Sequence, residues 1–264
     1  AGDHIYKMNY YAMIDFHRKL NADLTVGVVE VDKVKAGHLG IVEVDNRERV
    51  VGFQEKPEKP KTISAQPDRV YASMGIYVFR HEVIEGELIE DAGKRNSTHD
   101  FGRDIIPQML KKDLKVCAFN FVDENKKEAK YWRDIGTIDA YYEANMDLLQ
   151  VEPVFNLYDK AWPVRTYQEQ FPSAKTVFSG EEVAGRVGLV LDSVVSGGCI
   201  ISGGRVQRSI LSPNVRVHSY SQVYDSILME GVNVGRYAKI KKAIIDKDVD
   251  IPQGIVIGYD LEED

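Results

Sequence analysis

Asp3 and Asp134 stand far apart in the chain, each in a short polar and aromatic run: Gly2-Asp3-His4-Ile5-Tyr6 and Tyr131-Trp132-Arg133-Asp134-Ile135-Gly136-Thr137. Two carboxylates brought together can hold a divalent metal on phosphate oxygens and so stabilise charge in an in-line displacement at phosphorus. The need is electrostatic. Like unit charges about 4 Å apart repel by about 4 kcal/mol at an effective dielectric of about 20, so a site that joins two phosphate-bearing reactants must supply cations. Mg²⁺ suits this pair because it takes oxygen ligands and binds through one or two carboxylates plus substrate phosphates. Taken singly, each Asp reads equally well as a turn or cap residue, Asp3 ahead of a helix and Asp134 ahead of Gly136. Their joint context favours the metal.

Lys56 follows an extended run at residues 50–55 and precedes Pro57, which places it at a strand end, where open α/β sheets expose a binding crevice. It is a candidate clamp for a phosphate, and Glu55 beside it a candidate acceptor for sugar hydroxyls. The same pair also reads as an exposed ion pair in a charged loop, since Glu58, Lys59 and Lys61 follow. Ser73, Met74 and Gly75 precede a strand, where a glycine lets backbone approach a ligand. Asp100, before Phe101, reads as a helix N-cap or a pocket residue, and Trp132 as core packing or a sugar-facing wall. His4 invites an acid/base role, but an ionised phosphate nucleophile needs no general base.

The elements that must position these residues fall into two grammars. Up to about residue 150, helical and extended patterns alternate, which argues for an α/β layer architecture. Asn9 caps a helix with Met13, Phe16, His17 and Leu20 at helical spacing; strands are expected at 24–31, 40–44, 50–55, 75–79 and 116–121, and helices at 83–90, 101–111 and 138–149. Residues 151–172, with Pro153, Pro163 and Pro172, read as a connector. Beyond it a period of about 17 takes over: Val206, Val223, Ile240 and Ile257; Ile210, Ile227 and Ile244; Val215, Val232 and Val249; Ile200, Val217, Val234 and Ile251. Aligned apolar columns of this kind predict a parallel β-helix over residues 173–264, each coil burying its inward residues against the next.

Composition narrows the function classes. The chain has 264 residues, 41 acidic and 34 basic, for a net charge of −7. No basic stripe with interleaved aromatics is present, which argues against nucleic acid as a partner. No apolar run approaches the ~20 residues that span a bilayer, so no membrane role is expected. Cys117 and Cys199 are too few for a disulfide framework or zinc site and read as buried thiols in a reducing cytoplasm.

Taken in order, Gly2-Asp3-His4-Ile5-Tyr6-Lys7-Met8, Phe53-Gln54-Glu55-Lys56-Pro57, Ala72-Ser73-Met74-Gly75-Ile76-Tyr77-Val78-Phe79, His99-Asp100-Phe101-Gly102, the run around Asp134, Trp162-Pro163-Val164-Arg165-Thr166 and Ser196-Gly197-Gly198-Cys199 closely resemble the bacterial ADP-glucose pyrophosphorylases, that is, the glucose-1-phosphate adenylyltransferases. The resemblance runs through nearly the whole chain. It implies a Rossmann-like α/β nucleotidyltransferase domain followed by a left-handed parallel β-helix, in a homotetramer regulated by metabolite effectors. The implied reaction converts ATP and glucose 1-phosphate into ADP-glucose and pyrophosphate for glycogen synthesis, with Mg²⁺. Carried over by position, Asp3 and Asp134 match the family's metal-binding aspartates and Lys56 its glucose 1-phosphate lysine. Glu55, Ser73, Asp100, Phe101 and Trp132 match positions lining its sugar pocket. Lys247 falls where some members place an effector-binding cation, although the charge run around it favours a merely solvated lysine.

The family's N-terminal glycine-rich loop, with its triphosphate-binding arginine, has no counterpart in the sequence, and the α/β domain is therefore expected to be N-terminally incomplete, with an uncovered sheet edge. The ending at residues 261–264 likewise reads as early for the family. Three other readings stand beside this one: a UDP- or dTDP-sugar pyrophosphorylase, an acyltransferase β-helix relying on His218, and a non-catalytic regulatory or assembly subunit.

Overall fold

The structure, a computed structural model, describes residues 2–122, 130–178 and 186–260. Short strand β1 (His4–Tyr6) leads into helix α1 (Tyr10–Lys19), which starts where the Asn9 side chain accepts a hydrogen bond from the Tyr11 amide at 3.1 Å. The β-branched run beyond it forms β2 (Leu24–Asp32), followed by β3 (Gly40–Val44), β4 (Val50–Glu55) and β5 (Arg69–Phe79). Helix α2 (His81–Ala92), a π-helical turn (Phe101–Ile105), helix α3 (Ile106–Lys111), β6 (Val116–Asn120) and β7 (Trp132–Asp134) complete this part, and helix α4 (Ile138–Asp147) follows it. The single helix expected at 101–111 is thus two elements. Pro107 brings no amide to the ladder, and the turn ahead of it widens so that the Ile106 amide reaches back to Phe101.

The five-stranded sheet runs β4-β3-β5-β2-β6, with β2 and β6 parallel and the other pairings antiparallel. Alternation along β2 sends Leu24, Val26 and Val28 to one face, under Ile105, Ile106 and Met109, while Val29 joins Met13, Met74 and Phe121 on the other. Strand β2 is paired along both edges. At the outer edge of β6 the Ala118 amide donates to the Glu48 carbonyl at 2.8 Å, and Arg49 bridges Cys117, so the turn between β3 and β4 partly covers the edge expected to be open. Chain folded back on itself in this way occupies donors that an open edge would present to another molecule.

One irregularity in the sheet bears on the site. Val26 faces Tyr77 but Val28 faces Ser73, so Gly27 alone opposes Met74, Gly75 and Ile76. The bulge needs a left-handed residue, and Gly75, at φ 64°, supplies it. Bulges of this kind re-aim side chains and carbonyls out of the regular ladder.

The chain divides into two compact units, Ala1–Asp134 and Ile135–Asp264. In the second, short strands stack into three parallel sheets of four or five strands, a β-solenoid. Val206, Val223, Ile240 and Ile257 pair in register, as do Val217, Val234 and Ile251. Two details depart from the expected columns. Ile201, not Ile200, stacks on Val217, while Ile200 pairs with Arg216. The corner that follows is one residue shorter because Gly203 and Gly204 form it: Gly203 sits at φ 74°, and a Cβ on Gly204 would lie 2.7 Å from the His218 carbonyl oxygen. Second, Ile210, Ile227 and Ile244 do pair in register, but the inner core takes their neighbours Leu211, Leu228 and Ile245. Helix α4 belongs to this unit, its Tyr142 hydroxyl donating to the Asp225 carbonyl at 2.7 Å.

Both cysteines are buried and unbridged, and burial pushes their thiols up. No helix among the described residues is long and apolar enough to cross a membrane.

Candidate active site

Strands β1 and β7 pair antiparallel, with His4 opposite Asp134 and Tyr6 opposite Trp132. This pairing is what joins the two ends of the first unit. It brings Asp3, His4 and Asp134 together, with one ligand atom from each lying within 4.8 Å of the others. The Nε2 of His4 is 3.8 Å from Asp3 Oδ1 and 3.9 Å from Asp134 Oδ2. On its other side the His4 Nδ1 lies 3.0 Å from the Met74 carbonyl oxygen, which the bulge in β5 presents. A carbonyl only accepts, so Nδ1 carries the hydrogen and neutral His4 turns the lone pair of Nε2 toward the carboxylates. Converging acceptors of this kind offer a place for a cation. The two carboxylates are the oxygen donors that Mg²⁺ prefers.

Beside this group lies a cavity of about 250 Å³ lined by His4, Ser73, Gly75, Tyr77, Asp100, Phe101, Trp132 and Asp134, together with His38, Leu39, Gly40, Phe53, Glu55 and Gly102. Of the residues singled out from sequence, Asp134, Glu55, Ser73, Asp100, Phe101 and Trp132 meet here. Asp3 adjoins through His4. Lys56 does not line the cavity. It follows β4 at φ 46°, next to Glu55, and its ammonium makes no ion pair among the described residues. Lys247 lies in the solenoid, exposed at a corner, its amide bonded to Asp246 Oδ1 at 2.8 Å.

Each wall has a local cause. Asp100 is the N-cap that its position suggested, Oδ1 accepting from the Gly102 and Arg103 amides at 2.8 and 2.9 Å, while Oδ2 makes no hydrogen bond among the described residues. Phe101 packs with Tyr77 and Phe79, ring centroids 5.3 and 5.7 Å apart. Trp132 is a strand residue, and it meets His4 edge-on at 4.9 Å. Its indole nitrogen is buried without a hydrogen-bond acceptor among the described residues. Burial raises the Tyr77 hydroxyl above its ordinary value, and the Ser73 hydroxyl opposes that shift.

Sequence reasoning set His4 aside and missed Gly40 and Gly102, although a glycine at a strand start or turn is a signal for close approach. A Cβ on Gly40 would stand 2.7 Å from Phe53 Cζ, and one on Gly102 2.8 Å from Phe53 Cε1 and 3.1 Å from Glu55 Oε2. The two glycines make room for the Phe53 ring and for the Glu55 carboxylate. Gly102→Ala is therefore expected to cost about 1–3 kcal/mol through overpacking and to turn Glu55 away from the cavity. Urea denaturation checks the first effect and sugar-phosphate affinity the second.

The segment carrying Asp100 is tied to α2. His99, at φ 58°, places Nδ1 2.7 Å from Asp91 Oδ2, and the Ser97 hydroxyl donates to Asp91 Oδ1 at 2.7 Å. These partners, His99 first, hold the buried Asp91 carboxyl below its ordinary value. A carboxyl with a depressed folded value contributes stability above its unfolded value of about 4 and loses it as pH falls through the folded value. Asp91→Asn is expected to flatten the acid limb of a stability-against-pH curve below about pH 4. Equal acid limbs for both proteins would remove Asp91 from this role.

Residues 1–151 match the nucleotidyl transferase family, and residues 172–264 match the GlmU-like, C-terminal hexapeptide family. The chain belongs to the nucleotidyl transferase family. The glucose-1-phosphate adenylyltransferase of Koribacter versatilis (strain Ellin345) is 55% identical over 265 residues, covering 100% of this chain and 63% of the relative. Proteins of the same name from Rhodopirellula baltica and Dechloromonas aromatica are 52% and 48% identical, again over 100% of this chain and over 59% and 60% of their own lengths. The chain thus spans about three fifths of the length of the relatives it matches.

Proposed function

We propose that this chain supplies the sugar-phosphate and metal-holding part of a glucose-1-phosphate adenylyltransferase, which makes ADP-glucose and pyrophosphate from ATP and glucose 1-phosphate. The observation that carries the reading is the convergence of Asp3 and Asp134 through the β1–β7 pairing, beside a cavity walled by Phe101 and Trp132. Three relatives at 48–55% identity over the whole chain bear that enzyme's name, which supports the choice of reaction.

In this reading Asp3 and Asp134 hold Mg²⁺, with His4 oriented by the Met74 carbonyl as their neighbour. Held there, the ion would supply charge neutralisation on the phosphates during in-line attack of the sugar phosphate on the nucleotide α-phosphorus with loss of pyrophosphate. The Lys56 ammonium, next in sequence to the cavity residue Glu55 and without an ion pair among the described residues, meets the sugar phosphate. Glu55, Ser73 and the free oxygen of Asp100 accept or donate hydrogen bonds to sugar hydroxyls, and Phe101 and Trp132 form the apolar walls. These residues orient the nucleophile, and no proton needs to be removed from an ionised phosphate. The assembly is a homotetramer of cytoplasmic enzyme responding to metabolite effectors, with Lys247 as a candidate effector contact.

The test is pyrophosphate release with glucose 1-phosphate and Mg²⁺ across ATP, UTP and dTTP, for this chain and for the longest natural protein that contains it. ATP-dependent release by the longer protein is the expected result. Preference for UTP or dTTP would move the assignment to another sugar nucleotide, and silence with every nucleotide would favour a non-catalytic subunit. The acyltransferase reading is set aside: the His218 Nε2 lies 3.0 Å from Asn233 Oδ1, and the Asn233 amide donates to Asp250 Oδ1 at 2.9 Å, a ladder that ties the imidazole into the coil stack.

A further inference from the structure

A second cavity, of about 530 Å³, is lined from the last turn of α2, the segment after it and α3, away from the residues that hold the metal site. Its size lies within the ~300–1,000 Å³ of small-molecule pockets. The cations on its wall are Lys94, Arg95, Arg103 and Lys111, and the carboxylates are Asp91 and Asp104.

Both carboxylates are already occupied within the chain. Asp91 is bound by Ser97 and His99, and Asp104 Oδ2 accepts from the Thr98 hydroxyl at 2.6 Å and from the Thr98 and Asp100 amides at 3.1 Å. Those bonds, the Thr98 hydroxyl first, hold the Asp104 carboxyl below its ordinary value, so it stays ionised and spent on its own turn. Lys94 is spent too, paired with Glu90 at 2.9 Å and bonded to Gln108. The side chains of Arg95, Arg103 and Lys111 have no hydrogen-bond or ion-pair partner among the described residues. In a chain with 41 acidic and 34 basic residues, three unpaired cations facing one cavity are not the sample of a generally basic surface.

We propose that this cavity binds a phosphate dianion, free or as a small phosphomonoester, through Arg95, Arg103 and Lys111. Guanidinium groups meet phosphate oxygens through paired N–H donors, and the lysine adds a point charge. Two guanidinium groups and an ammonium suit a dianion better than a single carboxylate. The site is separate from the proposed substrate cavity, although one turn serves both: Asp100, Phe101 and Gly102 line the first, Arg103 and Asp104 the second.

The test is calorimetric titration of the 264-residue chain with inorganic phosphate and with glycerol phosphate, at ionic strength held constant with KCl. Saturable binding is expected, falling by about tenfold or more for each cation removed in R95A, R103A and K111A. It is expected to persist in K56A, which alters the first cavity's proposed phosphate contact, and to be partly retained in R103K. Tighter binding of glycerol phosphate identifies a monoester as the occupant, and the reverse order identifies free phosphate; both support the site. No saturable heat with either probe, or binding that survives the triple alanine variant and disappears in K56A, overturns it. The three side chains are exposed, so the substitutions leave the core intact, and circular dichroism checks that each variant folds.

Discussion

Asp134→Asn is expected to lower turnover of the longest natural protein containing this chain by about 10²–10³-fold, with little change in its unfolding curve. The amide keeps the shape of the carboxylate but loses the charge that a divalent ion needs, and Asp134 is partly exposed, so no core packing is disturbed. Mn²⁺ binding followed by electron paramagnetic resonance should weaken in parallel, because the same oxygen is removed from ion and transition state alike. Asp3→Asn should behave in the same direction. The double variant should cost much less than the product of the single losses, since both side chains serve one ion. Normal Mn²⁺ affinity in Asp134→Asn would separate this residue from metal binding.

Ile201→Ala is expected to destabilise the solenoid by about 2–5 kcal/mol, while Ile200→Ala stays within about 1 kcal/mol. Ile201 is fully buried and stacks on Val217, whereas Ile200 is half-buried beside Arg216. Deleting the Ile201 side chain opens a cavity inside a stack whose coils contact only their neighbours, so nothing else closes it. Urea unfolding followed by circular dichroism, with hydrogen exchange over residues 200–202, reads both effects. Equal destabilisation by the two substitutions would mean that this coil keeps the 17-residue step of the later ones and that the Gly203-Gly204 corner is not the shorter one.

That pair of isoleucines also marks how far the sequence was legible. The columns through Val206, Val223 and Ile240 were readable because a solenoid repeats one local environment, so periodicity alone carries the pattern. Ile200 was assigned to the wrong register because a corner lost one residue to a double glycine, and in a strand a one-residue shift exchanges inside for outside. Ile210, Ile227 and Ile244 illustrate the same limit: two adjacent apolar residues fit the period equally, and only the packed core selects Leu211, Leu228 and Ile245.

In the first unit, residue types and order by themselves pointed to β2, β3, β4, β6 and helices α1 and α2, to the Asn9 and Asp100 caps, and to Asp3 and Asp134 as the candidate metal pair, since each depends on local propensity or on a side chain's own chemistry; strands β1 and β7 were not foreseen, and β5 begins at Arg69, so that Ser73, Met74 and Gly75 lie within it rather than ahead of it. The bulge at Gly75, the tautomer of His4, the room made by Gly40 and Gly102 for Phe53 and Glu55, and the split of the 101–111 helix were decided by tertiary structure. Each depends on which backbone passes within a few ångströms of a residue distant in the chain, as when the Met74 carbonyl meets His4 and Phe53 fills the space over Gly102. Sequence spacing specifies what a residue can do, and long-range pairing such as that of β1 with β7 specifies what it stands beside.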